Sequence, residues 1–122
     1  VKTNVKENVP GLDFIAKLRP VTYNYSPQMM DELQGIPKGK RQYDGAKEKI
    51  RYSGFMAQEV QTAAQKTGYD FSAMNIPQNN NSLYGINYSE MVVPLVKAVQ
   101  ELKNIIEKQE LEINALKEKL KK

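Results

Sequence analysis

The chain contains neither cysteine nor histidine. Without cysteine it can form no disulfide and offers no thiol nucleophile or thiolate metal ligand. Without histidine it lacks the base of the usual Ser–His and Cys–His pairs and the commonest ligand of transition metals. Any hydrolytic chemistry must therefore use Lys, Asp, Glu, Tyr or a hydroxyl group. Asp31, Glu32 and Asp44 also lack the regular spacing of a calcium loop, so we expect neither a metal nor a cofactor.

Long apolar runs are missing too, and the charge is only mildly basic. No stretch approaches the roughly 18 residues that a membrane span needs. The 122 residues carry a net charge of +4, and much of the excess lies at positions 38–41 and 117–122, which are typical of solvated surface. We therefore expect no nucleic-acid partner and no membrane partner. The length fits one domain, or a small body with an appendage.

The last third of the chain carries a heptad repeat. Its core positions alternate four and three residues apart, which places them in one narrow seam along a helix. Counted from Ser89, a plausible N-cap, this helix would be roughly 50 Å long at 1.5 Å per residue. Residues 1–88 make too small a body to cover the seam, so we expect parallel self-association. The seam consists of Leu95, Val99, Leu102, Ile106, Gln109, Ile113, Leu116 and Leu120.

The identity of the seam residues leaves dimer and trimer open. β-branched residues in one core column and Leu in the other favour a dimer. Ala98 and Ile105 lie beside the seam and widen the apolar stripe, as a three-stranded core requires. Gln109 adds a polar layer, a device that sets register and strand number.

The remaining residues predict an α+β body. Helical spacing predicts a short helix over 12–18 that ends before Pro20, and a second over 57–66 with Gly68 as its C-cap. Pro94 lies about one turn inside the terminal helix, where it should cost a backbone bond and kink or delay the helix. Alternating β-branched and aromatic residues predict the strands. The strands cover 21–25, 50–56 and 83–88, with an exposed excursion at 27–49, a polar loop at 75–82, a globular body at 1–88 and a coiled-coil helix at 89–122.

Four stretches carry a resemblance to a known family. Residues 1–5 match the end of an opening motif, 18–25 match a Leu-x-Pro strand with alternating aromatics, and 86–102 match a closing element that ends in Gln-Glu-Leu. With the signature at 54–60, they resemble the C-terminal intramolecular chaperone domains of phage endosialidases, tail spikes and tail fibres. The signature residues are Gly54, Phe55, Met56, Ala57, Gln58, Glu59 and Val60.

The resemblance implies a specific activity and architecture. Such domains trimerise at the C-terminus of a fibrous protein, align three chains so that an upstream passenger can fold, and then cut themselves away. The implied nucleophile is the Ser that opens the first motif, and the implied base is the motif Lys, here Lys2. Cleavage falls just before the Ser. The expected architecture is a small α+β body followed by a long C-terminal helix that forms a parallel trimeric coiled coil.

The chain departs from the active pattern at its start. In this register the Ser would lie four residues before Val1, so we expect this chain by itself to be inactive. Either the chain was trimmed or begun past the cleavage point, or the parent lacks the Ser. A permanent, non-cleaving trimerisation tip is the alternative function. A Lys can replace His as the base of a Ser when burial favours its neutral form, and burial only in the trimer would couple cutting to assembly.

The resemblance also implies partners and a location. The partners are further copies of the chain and the upstream passenger of the same polypeptide. The location is a virion tail fibre or the bacterial surface, with the host cytoplasm as the place of assembly. A DNA-binding coiled coil fits poorly because residues 87–94 are not basic.

Two groups of side chains have both an ordinary and a functional interpretation. The resemblance places Gln58 and Glu59 near the subunit interface or the cleavage site. Otherwise Glu59 favours a helix N-terminus and Gln58 is surface. The strand tyrosines predict core and interface packing rather than a ligand platform. They are Tyr23, Tyr25, Tyr84 and Tyr88.

Overall fold

The computed structural model describes residues 1–26, 48–71, 74–75 and 85–121, together with positions 29, 32, 35, 37 and 39. These residues form short strands and helices followed by one long helix, which is the predicted α+β class. In chain order the elements are α1 (Leu12–Ile15), β1 (Val21–Tyr23), β2 (Tyr52–Gly54), α2 (Ala57–Thr67), β3 (Met74–Asn75), β4 (Gly85–Ile86), a 3₁₀ turn (Tyr88–Met91) and α3 (Val92–Leu120).

The strands form two separate antiparallel pairs. In the first, β1 lies against β2, and the whole pair is only three residues long. In the second, β3 lies against β4 over two residues. The facing residues are Val21 and Gly54, Thr22 and Ser53, Tyr23 and Tyr52, Met74 and Ile86, and Asn75 and Gly85.

Strands β1 and β2 are shorter than the predicted segments 21–25 and 50–56. The ladder ends after Tyr23 because the next residue bonds through its side chain rather than its backbone. The Asn24 amide Nδ2 donates to the carbonyl oxygens of Glu48 and Ile50, at 2.9 Å each. A side-chain amide thus takes the place of further backbone pairing.

Several other predictions fall at the edges of the described residues. The predicted strand 83–88 is described from residue 85 and is a strand only at Gly85–Ile86. The predicted polar loop 75–82 is wrong at Asn75, which lies in β3 because it pairs with Gly85; its other residues lie outside the described part. The described positions of the predicted excursion 27–49 are exposed, and the rest of it lies outside the described residues.

Helix α1 is one turn long, which is shorter than the predicted helix over 12–18. Beyond Ile15 the chain continues with tighter bonds, since the amide of Lys17 donates to the carbonyl of Phe14 and that of Leu18 to Ile15, at 3.1 Å each. These i to i+3 bonds are those of a 3₁₀ turn. The segment ends before Pro20, as predicted, because the residue before a proline avoids helical angles.

Helix α2 matches its prediction closely. It spans Ala57–Thr67, and Gly68 follows it in the left-handed region at φ 68°, as a glycine C-cap does. Val60, Ala63 and Ala64 lie three and four residues apart and are buried, so one face of α2 forms part of the core.

The core is small and aromatic. Phe14 is fully buried at its centre, with its ring 5.3 Å from that of Tyr69 and 5.5 Å from that of Phe71, both edge to face. Such pairs stabilise beyond their area burial. The other buried members come from α2 and from the residue just before α3. The cluster consists of Phe14, Val60, Ala63, Ala64, Phe71 and Met91.

Helix α3 begins later than predicted. Ser89 is not its N-cap: the residue lies inside the 3₁₀ turn, and its Oγ donates to Oδ1 of Asn87 at 2.7 Å. The helix starts at Val92, so Pro94 is its third residue. A proline costs no backbone bond there, because the first-turn amides have no helical partner. Pro94 therefore delays the helix, one of the two predicted outcomes.

Candidate functional site

The heptad seam is exposed along the whole of α3. Its seven apolar residues are 45% to 86% exposed, and the eighth, Gln109, is exposed as well. With 29 residues, α3 is about 43 Å long. An apolar stripe of this length on a single chain is typical of an association surface. The seven apolar residues are Leu95, Val99, Leu102, Ile106, Ile113, Leu116 and Leu120.

The body packs on a different face of the same helix. Pro94 and Ala98 are buried, although the seam residues Leu95 and Val99 that follow each of them are exposed. Ala98 therefore packs inside the protomer and does not widen the seam. Of the two residues expected to widen it, only Ile105 is exposed, at 43%. The apolar stripe on α3 is therefore narrower than predicted, and its width favours a trimer less strongly.

The body and α3 lie in close contact at Gly11. A β-carbon there would lie 2.8 Å from the backbone nitrogen of Ala98 and 2.9 Å from Cγ of Lys97. At the next residue, the amide of Leu12 donates to Oε1 of Glu101 at 3.0 Å. Glu101 belongs to the closing motif at 86–102, but the sequence analysis predicts no role for it.

The signature segment 54–60 joins strand β2 to helix α2. Gly54 faces a tyrosine, since a β-carbon there would lie 2.6 Å from the hydroxyl oxygen of Tyr88. That hydroxyl accepts the amide of Phe55 at 3.3 Å, and the two rings stack at 6.1 Å. Tyr88 was predicted on a strand but lies in the 3₁₀ turn.

The other signature residues divide between core and surface. Met56 is the N-cap of α2 and is 43% exposed, whereas Val60 is 1% exposed and belongs to the core. Gln58 is exposed and Ala57 is half-buried. The structure thus accounts for Gly54, Phe55 and Val60 by packing.

Glu59 pairs with a residue from another matching stretch. The Arg19 guanidinium donates to both carboxylate oxygens, at 3.0 Å and 2.6 Å. The hydrogen bond from Arg19 lowers the pKa of Glu59, and the same bond raises the pKa of Arg19. Both side chains are substantially exposed, so the pair fixes geometry more than it adds stability. It ties the Leu-x-Pro stretch to the start of α2.

The tyrosines of the first strand pair form an aromatic cluster. The Tyr23 and Tyr52 rings stack at 6.0 Å, and Tyr25 contacts both edge to face. The pKa of Tyr23 is raised to about 12, mainly by its hydrogen bond with Tyr25 and secondly by partial desolvation. The predicted packing role of these residues is consistent with the ring contacts, and Tyr84 lies outside the described residues.

Lys2 lies in an exposed N-terminal segment. Residues 1–8 are all exposed, and the segment leads directly into Gly11 and α1. Asn4, the asparagine of the opening motif, has φ 54°, a left-handed conformation that asparagine adopts more readily than most residues. The structure does not bring Lys2 together with the signature residues through any hydrogen bond or ion pair among the described positions.

Neither a metal-binding cluster nor a membrane-spanning helix occurs in the described part of the chain. No group of three or more acidic side chains there could hold a metal ion. No described helix is long and apolar enough to cross a membrane.

The sequence model of the chaperone of endosialidase family matches residues 1–69, more than half of the 122 residues. The chain belongs to this family, which confirms the resemblance and assigns it a chaperone role. The match includes Lys2, Arg19 and the signature, but α3 lies beyond it. Neither the curated proteins nor the solved structures searched contain a match to this chain.

Proposed function

We propose that the chain is a C-terminal intramolecular chaperone that assembles as a parallel homotrimer through the seam of α3. The observation that carries this proposal is the division of α3 into two faces. Ala98 and Pro94 face the body, whereas Leu95, Val99 and Leu102 are exposed beside them. A helix that can bury its seam against copies of itself without displacing its own body suits a role in aligning chains.

The parallel arrangement follows from the position of the body at one end of the helix. The body contacts the first turns of α3, and the remaining turns to Leu120 extend beyond those contacts. Parallel helices place identical bodies, and therefore identical N-terminal segments, at the same end. Three aligned segments are what an upstream trimeric passenger requires in order to fold in register.

Release of the passenger is the second part of the proposal. Lys2 would act as the base of a Ser just upstream, in a self-cleavage that follows assembly. The segment that contains Lys2 is exposed in the single chain. Burial by neighbouring subunits would favour the neutral amine that such a base needs. The setting would be a phage tail fibre or tail spike, or a bacterial surface fibre.

The assembly is tested by charges on the seam. Ile106→Glu with Ile113→Glu places two carboxylates per chain in the core, and we expect the association to be lost. The control is Asn104→Glu with Leu111→Glu, because Leu111 is apolar and 72% exposed but lies off the seam. Light scattering across a dilution series should give about 42 kDa, three times 13.9 kDa, for the unsubstituted 122-residue chain and for the control. A dimer or monomer of the unsubstituted chain contradicts the proposal.

Cleavage is tested in a chain that includes the natural upstream residues. Gel electrophoresis should show a released fragment, and Lys2→Ala should prevent release without changing the mass of the assembly. If this longer chain assembles but is not cleaved, the result would instead favour the alternative, a permanent trimerisation tip.

A further inference from the structure

Helix α1 is capped by a side chain from the other end of the sequence. Its first amide, that of Leu12, has no partner within the helix, as is general for first-turn amides. The partly buried carboxylate of Glu101 accepts this amide at 3.0 Å across 89 positions of sequence. In most helices the capping oxygen belongs to the N-cap residue itself.

Gly11 explains why the cap comes from elsewhere. Gly11 is the N-cap of α1 and is buried against α3, where a β-carbon would approach the backbone nitrogen of Ala98 to 2.8 Å. There is consequently no space at position 11 for a side chain that could cap. The carboxylate of Glu101 takes over the function from within α3.

Glu101 also lies in the same helical turns as the seam. Its neighbours Val99 and Leu102 are seam residues and are exposed, whereas Glu101 is half-buried and turned to the body. On the other side of the contact, Gly11 follows the exposed segment 1–8 after two half-buried residues. One hydrogen bond therefore links the part of α3 that associates to the segment that contains Lys2.

We propose that Glu101 is a positioning residue through which the association of α3 holds the N-terminal segment in place for cleavage. The coupling to association and its consequence for cleavage rest on the proposed function, whereas the cap itself rests on the hydrogen bond alone. Any association that stabilises these turns of α3 stabilises the cap, and by thermodynamic linkage an intact cap favours association.

The test compares variants of Glu101 with the same variants of Glu107. Glu107 lies on the same helix, is exposed and forms an ion pair with Lys103. Glu101→Ala removes the acceptor. Glu101→Gln keeps an oxygen that can accept the same bond. Amide hydrogen exchange of Leu12 is measured by NMR in the present chain, and cleavage in the chain with its upstream residues.

We expect Glu101→Ala to speed exchange of the Leu12 amide about tenfold, as for loss of one hydrogen bond to a charged group. It should also slow cleavage while the assembly keeps its mass. Glu101→Gln should restore most of the protection and of the cleavage, which a role that depends on the negative charge of Glu101 would not predict. The Glu107 variants should match the parent in both measurements.

Unchanged exchange of Leu12 in Glu101→Ala overturns the inference, and so does a Glu101→Gln variant as impaired as Glu101→Ala. Slower cleavage with unchanged exchange overturns it as well. If the unsubstituted chain neither assembles nor cleaves, the proposed function is overturned and the coupling with it, and the exchange of Leu12 then decides only whether Glu101 caps α1.

Discussion

Replacing Gly11 with alanine tests whether close contact between α1 and α3 holds the body on the helix. The new methyl group would meet the carboxylate of Glu101, the backbone nitrogen of Ala98 at 2.8 Å and the stem of Lys97. A lysine stem can move aside, but the helix backbone cannot move without shifting α3. Overpacking of this kind costs about 1–3 kcal/mol, and the stiffer unfolded chain of an alanine variant offsets about 0.4–1 kcal/mol of it. We expect a net loss of about 1–2 kcal/mol.

The measurement is urea unfolding followed by circular dichroism, at one protomer concentration because the proposed association would contribute to stability. Gly39→Ala is the matched control, since a β-carbon at Gly39 meets nothing within 4 Å. Equal stability of the Gly11 and Gly39 variants would show that α1 does not lie against α3 in solution, and would remove the basis for the cap by Glu101.

Three smaller predictions concern the signature and its surroundings. Gly54→Ala should destabilise the body by displacing the hydroxyl of Tyr88, and adding Tyr88→Phe should recover part of the loss in urea unfolding; additive effects would contradict the contact. Gly68→Ala should cost about 1 kcal/mol in the same assay because φ is 68°, whereas Gly68→Asn should cost less. Arg19→Gln should raise the pKa of Glu59, seen by NMR titration of the carboxyl group. Because the folded-state pKa of Glu59 is lowered, the pair favours the fold above about pH 4.5, and this contribution disappears as the pH falls below that value. The Arg19→Gln variant should therefore lose less stability in acid than the unsubstituted chain. An unchanged pKa of Glu59 in the variant would show that the pair does not form.

The features that the sequence predicts well are those that depend on near neighbours. Helix α2 and its Gly68 cap follow from spacing and from one glycine, and the seam follows from a repeat of seven. The two strands of the first sheet follow from alternation, although their ends do not. Each of these patterns depends on residues that are at most a few positions apart, so it can be recognised without knowledge of the fold.

The contacts that build the candidate site join distant residues, and no local pattern identifies them. Arg19 and Glu59 are 40 positions apart, and Leu12 and Glu101 are 89 apart. Arg19, Glu59 and Glu101 occur in stretches that match one family, but this does not say which residues they contact, and Leu12 lies outside those stretches. Ala98 shows the same limit, because its position beside the seam gives no indication that α1 covers it.

In the proposed assembly, the division of α3 between two faces would make the body and the assembly interdependent. The core of the described residues is small, and Met91, just before α3, is buried in it, while Ala98 is buried within α3 itself. The body therefore depends on a helical conformation of the first turns of α3. Those same turns carry seam residues that are exposed in the single chain and would gain burial from other copies, and isolated helices have marginal stability in water. Association of the seam would thus add stability to the turns against which α1 packs, so a chaperone built in this way would need no separate device to sense its own assembly.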